Sequence, residues 1–355
     1  RLGRSSRAHF LRRLRRMILA KHTPKAILGW PLFFLLISAC GAKPEKVQRQ
    51  NYGPAQGSTY QVSYITSPGT DYQTSIDSLL FSVDMSLSAW KEQSTLSRVN
   101  RGDTVLLSND LQFAAVLDSS MAMHQRSQGL FDISLGRLVQ LWGFYRKNSL
   151  PPTDSLVQAA LASVSLSHIH IHNDSLWLSD SCLLDVNGIA QGYTVDRLAA
   201  FLEARGIEEY MVEVGGEVRC RGRNIDGNIW RIGIDKPTDE ALEDRFQRII
   251  SLDNRSLATS GNYRKYIEDP ETGERYGHSL DPKTGYPNRD VLLSASVVCG
   301  NATAADAWGT ALMVAGFERA KELVESTNGV EAYLIYSDRN GEWKEWWSEG
   351  FPDKP

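Results

Sequence analysis

Cysteine is scarce: there are four in 355 residues, and only Cys182, Cys220 and Cys299 lie beyond the first forty. None of them stand in a CxxC spacing, and an odd number cannot all pair. The reading is buried free thiols with at most one bridge, not a disulfide framework. Acid is missing altogether from residues 1 to 40, which hold nine basic side chains. Long apolar runs are missing too, apart from Ile27 to Ile37, which is too short to span a bilayer by itself. Internal repeats of fixed period and low-complexity tracts are also lacking. Together these absences leave a mixed-charge chain with one unusual end and an ordinary globular body.

That end has a pattern. Residues 1 to 16 carry seven arginines, and Met17 then opens "MILAKHTPKAILGWPLFFLLISAC". Lys21 and Lys25, the apolar run and the small residues before Cys40 are a secretory signal. "LISAC" resembles a bacterial lipobox. This implies cleavage before Cys40, its lipidation, and an extracytoplasmic protein held by a lipid anchor, on the periplasmic side of the inner membrane. A plain signal peptide or an uncleaved anchor is the alternative. Arg1 to Arg16 then falls upstream of a start at Met17. The expected division is 1–40 as basic stretch plus signal, 41–56 as a tether, and 57–355 as the folded domain. Removing the first forty residues shifts the formal charge from −3 to −12, which argues against a nucleic-acid partner.

In the body, "STYQVSYIT" alternates as a strand. Ile76, Leu79, Leu80, Val83 and Leu87 fall at helical spacing between Tyr72 and Trp90. A second helix is expected after Ser108 as N-cap, ending near Gly129, and a third in "PPTDSLVQAALASV". "HIHIH", an Asn-Asp turn and "SLWLS" read as a hairpin. A helix from Tyr193 to Arg205 stops at Gly206. Strands follow in "EYMVEVGGEVRCRG", "NIWRIGID", "RKYIED" with "ERYGHSL", "LLSASVVCG" and "EAYLIYS", with a helix from Ala302 to Val314 before the last. Helices and strands mix without a βαβ rhythm, so the class is α+β.

Four stretches carry chemistry. "DVNGIAQGYTVDRLAAFLEARG" (185–206) puts Asp185, small residues and Gln191 ahead of a helix whose stripe of Val195, Leu198, Ala199 and Leu202 buries it. A fixed helix N-terminus attracts an anion; a tight turn with an Asp cap is the other reading. In "NATAADAWGTALMVAG", Asp306 and Thr310 are four apart and share one helix face. They are hard oxygen ligands of the kind Mg²⁺ takes, or else a solvated pair. In "HSLDPKTGYP", turn chemistry places His278 and Asp281 at a strand end, where an imidazole could hold a phosphate, relay a proton, or only bond a loop. "LATSGNYRKY" ends a strand in small residues and presents Tyr263, an aromatic for stacking on a ring or for core packing.

Those four stretches, with "GSTYQV", "SLSAWKEQSTLSRVN", "QGLFDISLGRLVQLWGF" and "VEVGGEVRCRG", match in order and spacing one family from about residue 56 to 336. The chain resembles the FAD:protein FMN transferases, the ApbE lipoproteins. The resemblance implies a T-fold-like body of mixed, largely antiparallel sheet with packed helices. It implies FAD as substrate, Mg²⁺ as cofactor, and transfer of FMN to a threonine hydroxyl of a target flavoprotein with release of AMP. Acceptors of that family are subunits of sodium-pumping NADH:quinone oxidoreductase, the related Rnf complex, and other extracytoplasmic flavoproteins. Carried over by position, Gln56, Trp90, Leu130, Phe131, Asp132, Asp185, Gln191 and His278 fall at flavin-nucleotide positions, with Ser260 and Tyr263 as neighbours. The Gly188 carbonyl, Asp306 and Thr310 fall at metal positions, and His278 and Asp306 are the catalytic pair.

Three positions depart from the common pattern: Gln191 replaces Lys, Gln56 replaces Met, and Trp90 replaces Tyr. The first removes a charge beside a phosphate, whereas the last keeps a stacking face. Two further readings share the same pocket: an FAD pyrophosphatase giving FMN and AMP, and a non-catalytic FAD-binding lipoprotein. His168, His170 and His172 alternate as a zinc-like set that lacks further ligands. "EWKEWW" near the C-terminus reads as an edge strand.

Overall fold

The computed structural model describes residues 45–352, except 145–148, 180, 239–244, 263–265, 271 and 274, all within the unit Pro44–Pro355. The expected signal, Cys40 and Tyr263 lie outside the described residues.

The chain opens with a hairpin, β1 (Val47–Ala55) and β2 (Ser58–Thr66), followed by α1 (Gln73–Leu87), α2 (Thr95–Asn100) and the short β3 (Val105–Leu106). Next come α3 (Leu111–Arg126), α4 (Gly136–Trp142), α5 (Asp154–Leu161), β4 (Ile169–His172) and β5 (Ser175–Leu178). The central helix α6 (Ala190–Glu203) leads into β6 (Tyr210–Val214), β7 (Glu217–Arg221), β8 (Trp230–Asp235), β9 (Phe246–Leu252) and β10 (Ser256–Gly261). The remainder is β11 (Tyr266–Glu268), β12 (Arg275–Gly277), β13 (Leu292–Cys299), α7 (Ala302–Ala315), α8 (Phe317–Ser326), β14 (Glu331–Ser337) and β15 (Trp343–Trp347). This is the expected α+β class.

Eight strands form one sheet in the order β1-β2-β6-β7-β10-β13-β14-β15. Every neighbouring pair in it is antiparallel. The period of two sorts its side chains between two cores. Along β14, Ala332 and Leu334 pack with α7, while Tyr333 and Ile335 pack with the β8–β9 hairpin on the opposite face. On the helix side, Val195, Leu198, Ala199 and Leu202 of α6 pack on Tyr60, Val62, Val212 and Val214. Helix α7 is apolar all round and buried between α6, α3 and the sheet, as such a composition requires. Its one charge is Asp306.

Several expectations need correction. The 41–56 tether is overturned for most of its length: Val47–Ala55 pair with Thr66–Ser58 as the edge strand of the sheet. Asn51 is buried there, donating to Asp71 (2.9 Å) and Gln73 (3.1 Å) and accepting from Tyr64 (3.0 Å). Helix α3 is capped by Asp110, which accepts from the Gln112 and Phe113 amides, and not by Ser108. His168 sits in a 3₁₀ turn, so only His170 and His172 share β4, and no group of three or more His, Cys, Asp or Glu could hold a metal among the described residues. Cys182, Cys220 and Cys299 are free and buried, and burial pushes the Cys182 thiol up to about 11. "EWKEWW" supplies the edge strand β15, as expected.

Candidate functional site

One end of the sheet collects the chemistry. Gln56 and Gly57 turn β1 into β2 with φ of 49° and 76°, the two positive values a tight hairpin turn demands. Beside it lies the Gly215–Gly216 turn of β6–β7, where the Gly215 amide donates to the Thr59 carbonyl (3.0 Å). Ser260 and Gly261 finish β10 at the same end, opposite Ala295 and Ser294 of β13.

Over this end run α6 and α7, packed antiparallel. Three contacts step along the seam by four residues in opposite directions. A Cβ on Gly188 would lie 2.6 Å from Thr310 Oγ1, and one on Gly192 would lie 2.3 Å from the Ala302 carbonyl oxygen and 2.8 Å from Asp306 Cβ. Asp196 of α6 accepts from the Ala302 amide of α7 (3.1 Å). Only glycine permits the first two approaches. They set the Gly188 turn against Thr310 and Gly192 against Asp306 along one seam.

Asp306 is 5 % exposed, and its Oδ2 accepts from the Gly192 amide at 2.9 Å. Gly192 belongs to the first turn of α6, whose N–H groups have no partner inside the helix, and α6 has no side-chain cap. The carboxylate at this N-terminus is therefore the protein's own. Burial raises Asp306 well above the ordinary carboxylate range, to about 7, against the lowering effect of that one hydrogen bond. Such a group gains by meeting a cation.

The other candidates fall around this seam. Gln191 lies over the Gly215 turn, where a Cβ would be 2.1 Å from its Nε2. Gln56 Nε2 donates to Thr194 Oγ1 on α6 (2.8 Å), and Gln56 Oε1 is buried without a partner. Ser260 Oγ touches α7, 2.7 Å from a Cβ built on Gly309. Asp185 is not a helix cap. It accepts from the Asn187 amide and side chain (each 2.9 Å), its own amide donates to the Ile133 carbonyl (2.8 Å), and burial raises its carboxyl. That last backbone bond lays the Leu130–Asp132 segment beside the Asp185 turn.

Leu130 and Phe131 are themselves core residues (5 % and 3 % exposed), and the Phe131 amide and carbonyl are bonded to Ser127 Oγ (3.0 Å) and His124 Nδ1 (3.1 Å). Asp132 is engaged as well: it accepts from the Ser134 amide (2.8 Å) and lies 3.2 Å from His124 Nδ1. A cavity of about 520 Å³ opens between His124, Gly129, Asp132, Pro282 and Lys283, joining this segment to the turn after His278. His278 directly follows β12, and its neighbour Ser279 donates to Asn262 (3.1 Å), one residue beyond β10. Trp90 stands on the α1–α2 loop, 73 % exposed. The Asn100 side chain ties the end of α2 to the Leu184 amide (2.8 Å) and carbonyl (2.9 Å), next to Asp185. A larger cavity of about 740 Å³, lined by Lys46, Arg205 and Arg221, lies at the opposite end of the sheet and holds none of these residues.

Sequence reasoning missed His124, Thr194, Asp196 and Asn100. Each is a polar residue within or at the end of a helix, and nothing local marks it as facing a partner.

The fold and this seam define an α+β protein whose working end sets a buried carboxylate and a hydroxyl of α7 against glycine turns. The chain belongs to the ApbE family, whose family model matches residues 56–334. It is 35% identical over 325 residues to the FAD:protein FMN transferase of Vibrio cholerae, covering 89% of this chain and 95% of that one. With the Escherichia coli protein of that name it shares 34% identity over 93% of this chain and 96% of that one. The solved flavin transferase ApbE from Vibrio cholerae superposes with a TM-score of 0.75 at 35% identity, over 86% of this chain and 98% of that one. The apo form of the Pseudomonas stutzeri flavinyl transferase ApbE gives 0.75 at 32% identity, over 86% and 95%.

Proposed function

We propose that this protein transfers the FMN half of FAD to a threonine hydroxyl of a target flavoprotein, releasing AMP, with Mg²⁺ held by Asp306, Thr310 and the Gly188 carbonyl. The observation that supports the reading is the α6–α7 seam, where the Gly188 turn meets Thr310 and Gly192 meets Asp306, the one buried charge of α7. The names of its relatives support the same activity. The donor set suits a hard cation: one carboxylate raised by burial, one hydroxyl and one turn carbonyl. When bound, the cation would offset the negative charge of the diphosphate.

The chain's own residues supply the rest. Gln191 presents a neutral amide beside the Gly215 turn, so it orients a phosphate without adding charge. The exposed face of Trp90 can stack on a ring. The acceptor oxygen forms a bond to the FMN-side phosphorus, and the bond from that phosphorus to the AMP oxygen breaks. His278 takes the hydroxyl proton, and AMP leaves as the anion. Catalysis is mostly positioning and charge neutralisation.

Acceptors of the sodium-pumping NADH:quinone oxidoreductase or Rnf type, and a lipid anchor at Cys40 on the extracytoplasmic side of a bacterial membrane, belong to the same proposal. They are supported by the motif resemblance and the "LISAC" string. The test is to incubate the full chain with FAD, Mg²⁺ and an acceptor domain, then weigh the acceptor. One FMN added, and lost at least a hundredfold in rate with His278→Ala, is the expected result. Free FMN with an unmodified acceptor would make the protein a pyrophosphatase, and bound FAD without turnover a carrier.

A further inference from the structure

The seam between α6 and α7 has two ends. At one end lie Gly188, Asp306 and Thr310; at the other, Asp196. Asp196 Oδ1 accepts from the Ala302 amide (3.1 Å) and from Arg219 Nη1 (2.7 Å). Its Oδ2 accepts from the Thr303 amide (2.8 Å) and hydroxyl (2.6 Å). Ala302 and Thr303 are the first two residues of α7, so these are helix N-terminal amides with no intrahelical partner. Asp306 makes the mirror contact, from α7 to the Gly192 amide in the first turn of α6. Each helix thus has its first turn held by a carboxylate of the other, one helical turn apart on both.

Arg219 comes from β7 in the sheet below and also lies 3.7 Å from Glu203 near the end of α6. It holds the same Asp196 Oδ1 that accepts from the Ala302 amide. A packed helix pair can slide only by whole ridges, about one turn, because side chains interdigitate. A slide of one turn would carry Thr310 away from Gly188.

We propose that Asp196, backed by Arg219, is a positioning residue that locks the register of α6 against α7 and so sets the spacing of the Gly188, Asp306 and Thr310 oxygens. This rests on the transferase reading for its functional consequence, but not for the lock itself. Asp196 touches no reacting atom. Its loss should weaken metal use without stopping chemistry once the metal is saturating.

The experiment compares wild type with Asp196→Ala, Asp196→Asn and Thr303→Val in the full chain. For each, the Mg²⁺ dependence of FMN transfer, the rate at saturating Mg²⁺, and amide exchange of the peptide covering Gly188 to Thr194 are measured. Asp196→Ala is expected to raise the half-saturating Mg²⁺ about tenfold or more, with saturated rate within about threefold, and to lose protection at the Gly192 amide. Asp196→Asn keeps one acceptor oxygen and turns the other into an N–H donor facing bonds the carboxylate accepted, so it should recover only part of both losses. Thr303→Val, which removes one of four bonds and folds with little risk, should show a smaller shift in the same direction. Unchanged Mg²⁺ dependence and unchanged exchange in Asp196→Ala and Thr303→Val would overturn the lock. If wild type shows no metal-dependent transfer, the functional reading fails, while the exchange measurements still decide on the lock.

Discussion

Asp306 combines two uses of one side chain. Its Oδ2 satisfies an orphan amide of α6, and the carboxyl sits at the buried centre of an otherwise apolar helix, where burial disfavours its charge. The consequence for stability has a definite sign. A carboxyl whose folded pKa lies near 7 must ionise at a cost that an unfolded chain escapes. Metal-free protein should therefore be most stable at low pH on this account and lose stability as pH rises from about 4 towards 7, levelling above. Burial shifts Asp185 and Glu213 the same way, which steepens the trend. Added Mg²⁺ should raise the melting temperature more at pH 8 than at pH 5.5. In EDTA, Asp306→Asn should flatten the pH dependence, read by thermal melts across that range. A wild-type melting temperature that climbs from pH 5 to pH 8 without metal would contradict this account of the carboxyl.

Between elements, the close approach of α6 and α7 depends on glycine. Gly192 has no room for a methyl group between the Ala302 carbonyl and the Asp306 side chain. Gly192→Ala must push the helices apart, and overpacking of this kind costs about 1–3 kcal/mol. The melting temperature should fall, and FMN transfer should fall further than stability predicts, because the displaced residue is Asp306 itself. A melt combined with an activity assay below the transition separates the two effects; full activity in folded Gly192→Ala would show that the seam tolerates a wider spacing. The hairpin turns are a different case. Asn173 and Asp174 turn β4 into β5 with positive φ, as Gln56 and Gly57 do for β1–β2, and such turns are local choices that need no distant partner.

At the scale of the molecule, β1 joins the N-terminal segment to the working end of the sheet. It is an edge strand, where Pro54 does no harm, and the turn that follows it carries Gln56 to Thr194. Deleting residues through Gln56 should therefore do more than shorten a linker. It removes the buried Asn51 network and the Gln56 contact, and should lower both melting temperature and FAD affinity, whereas deletion only as far as Pro44 should leave both within error of the full chain. Equal behaviour of the two truncations would return 47–56 to the role of a tether. The proposed anchor is tested separately: Cys40→Ser should leave an unlipidated precursor, and normal processing and membrane attachment of that variant would remove the lipoprotein reading.

The residue pattern by itself marked the α+β class, the strands with clean alternation, the helices with a clear stripe, and the four stretches that carry candidate chemistry. These follow from local periodicity and from turn residues, which act over a few positions. It did not reveal β1, because "VQRQNYGPA" has few apolar side chains and a proline, and becomes a strand only by pairing with β2. Nor did it reveal the bonds between Asp196 and the start of α7, or that Leu130 and Phe131 are buried in the core. Those facts depend on which side of a helix or loop meets another element far away in the chain. Asp196 and Ala302 are 106 residues apart, and only the packing of α6 on α7 makes them neighbours.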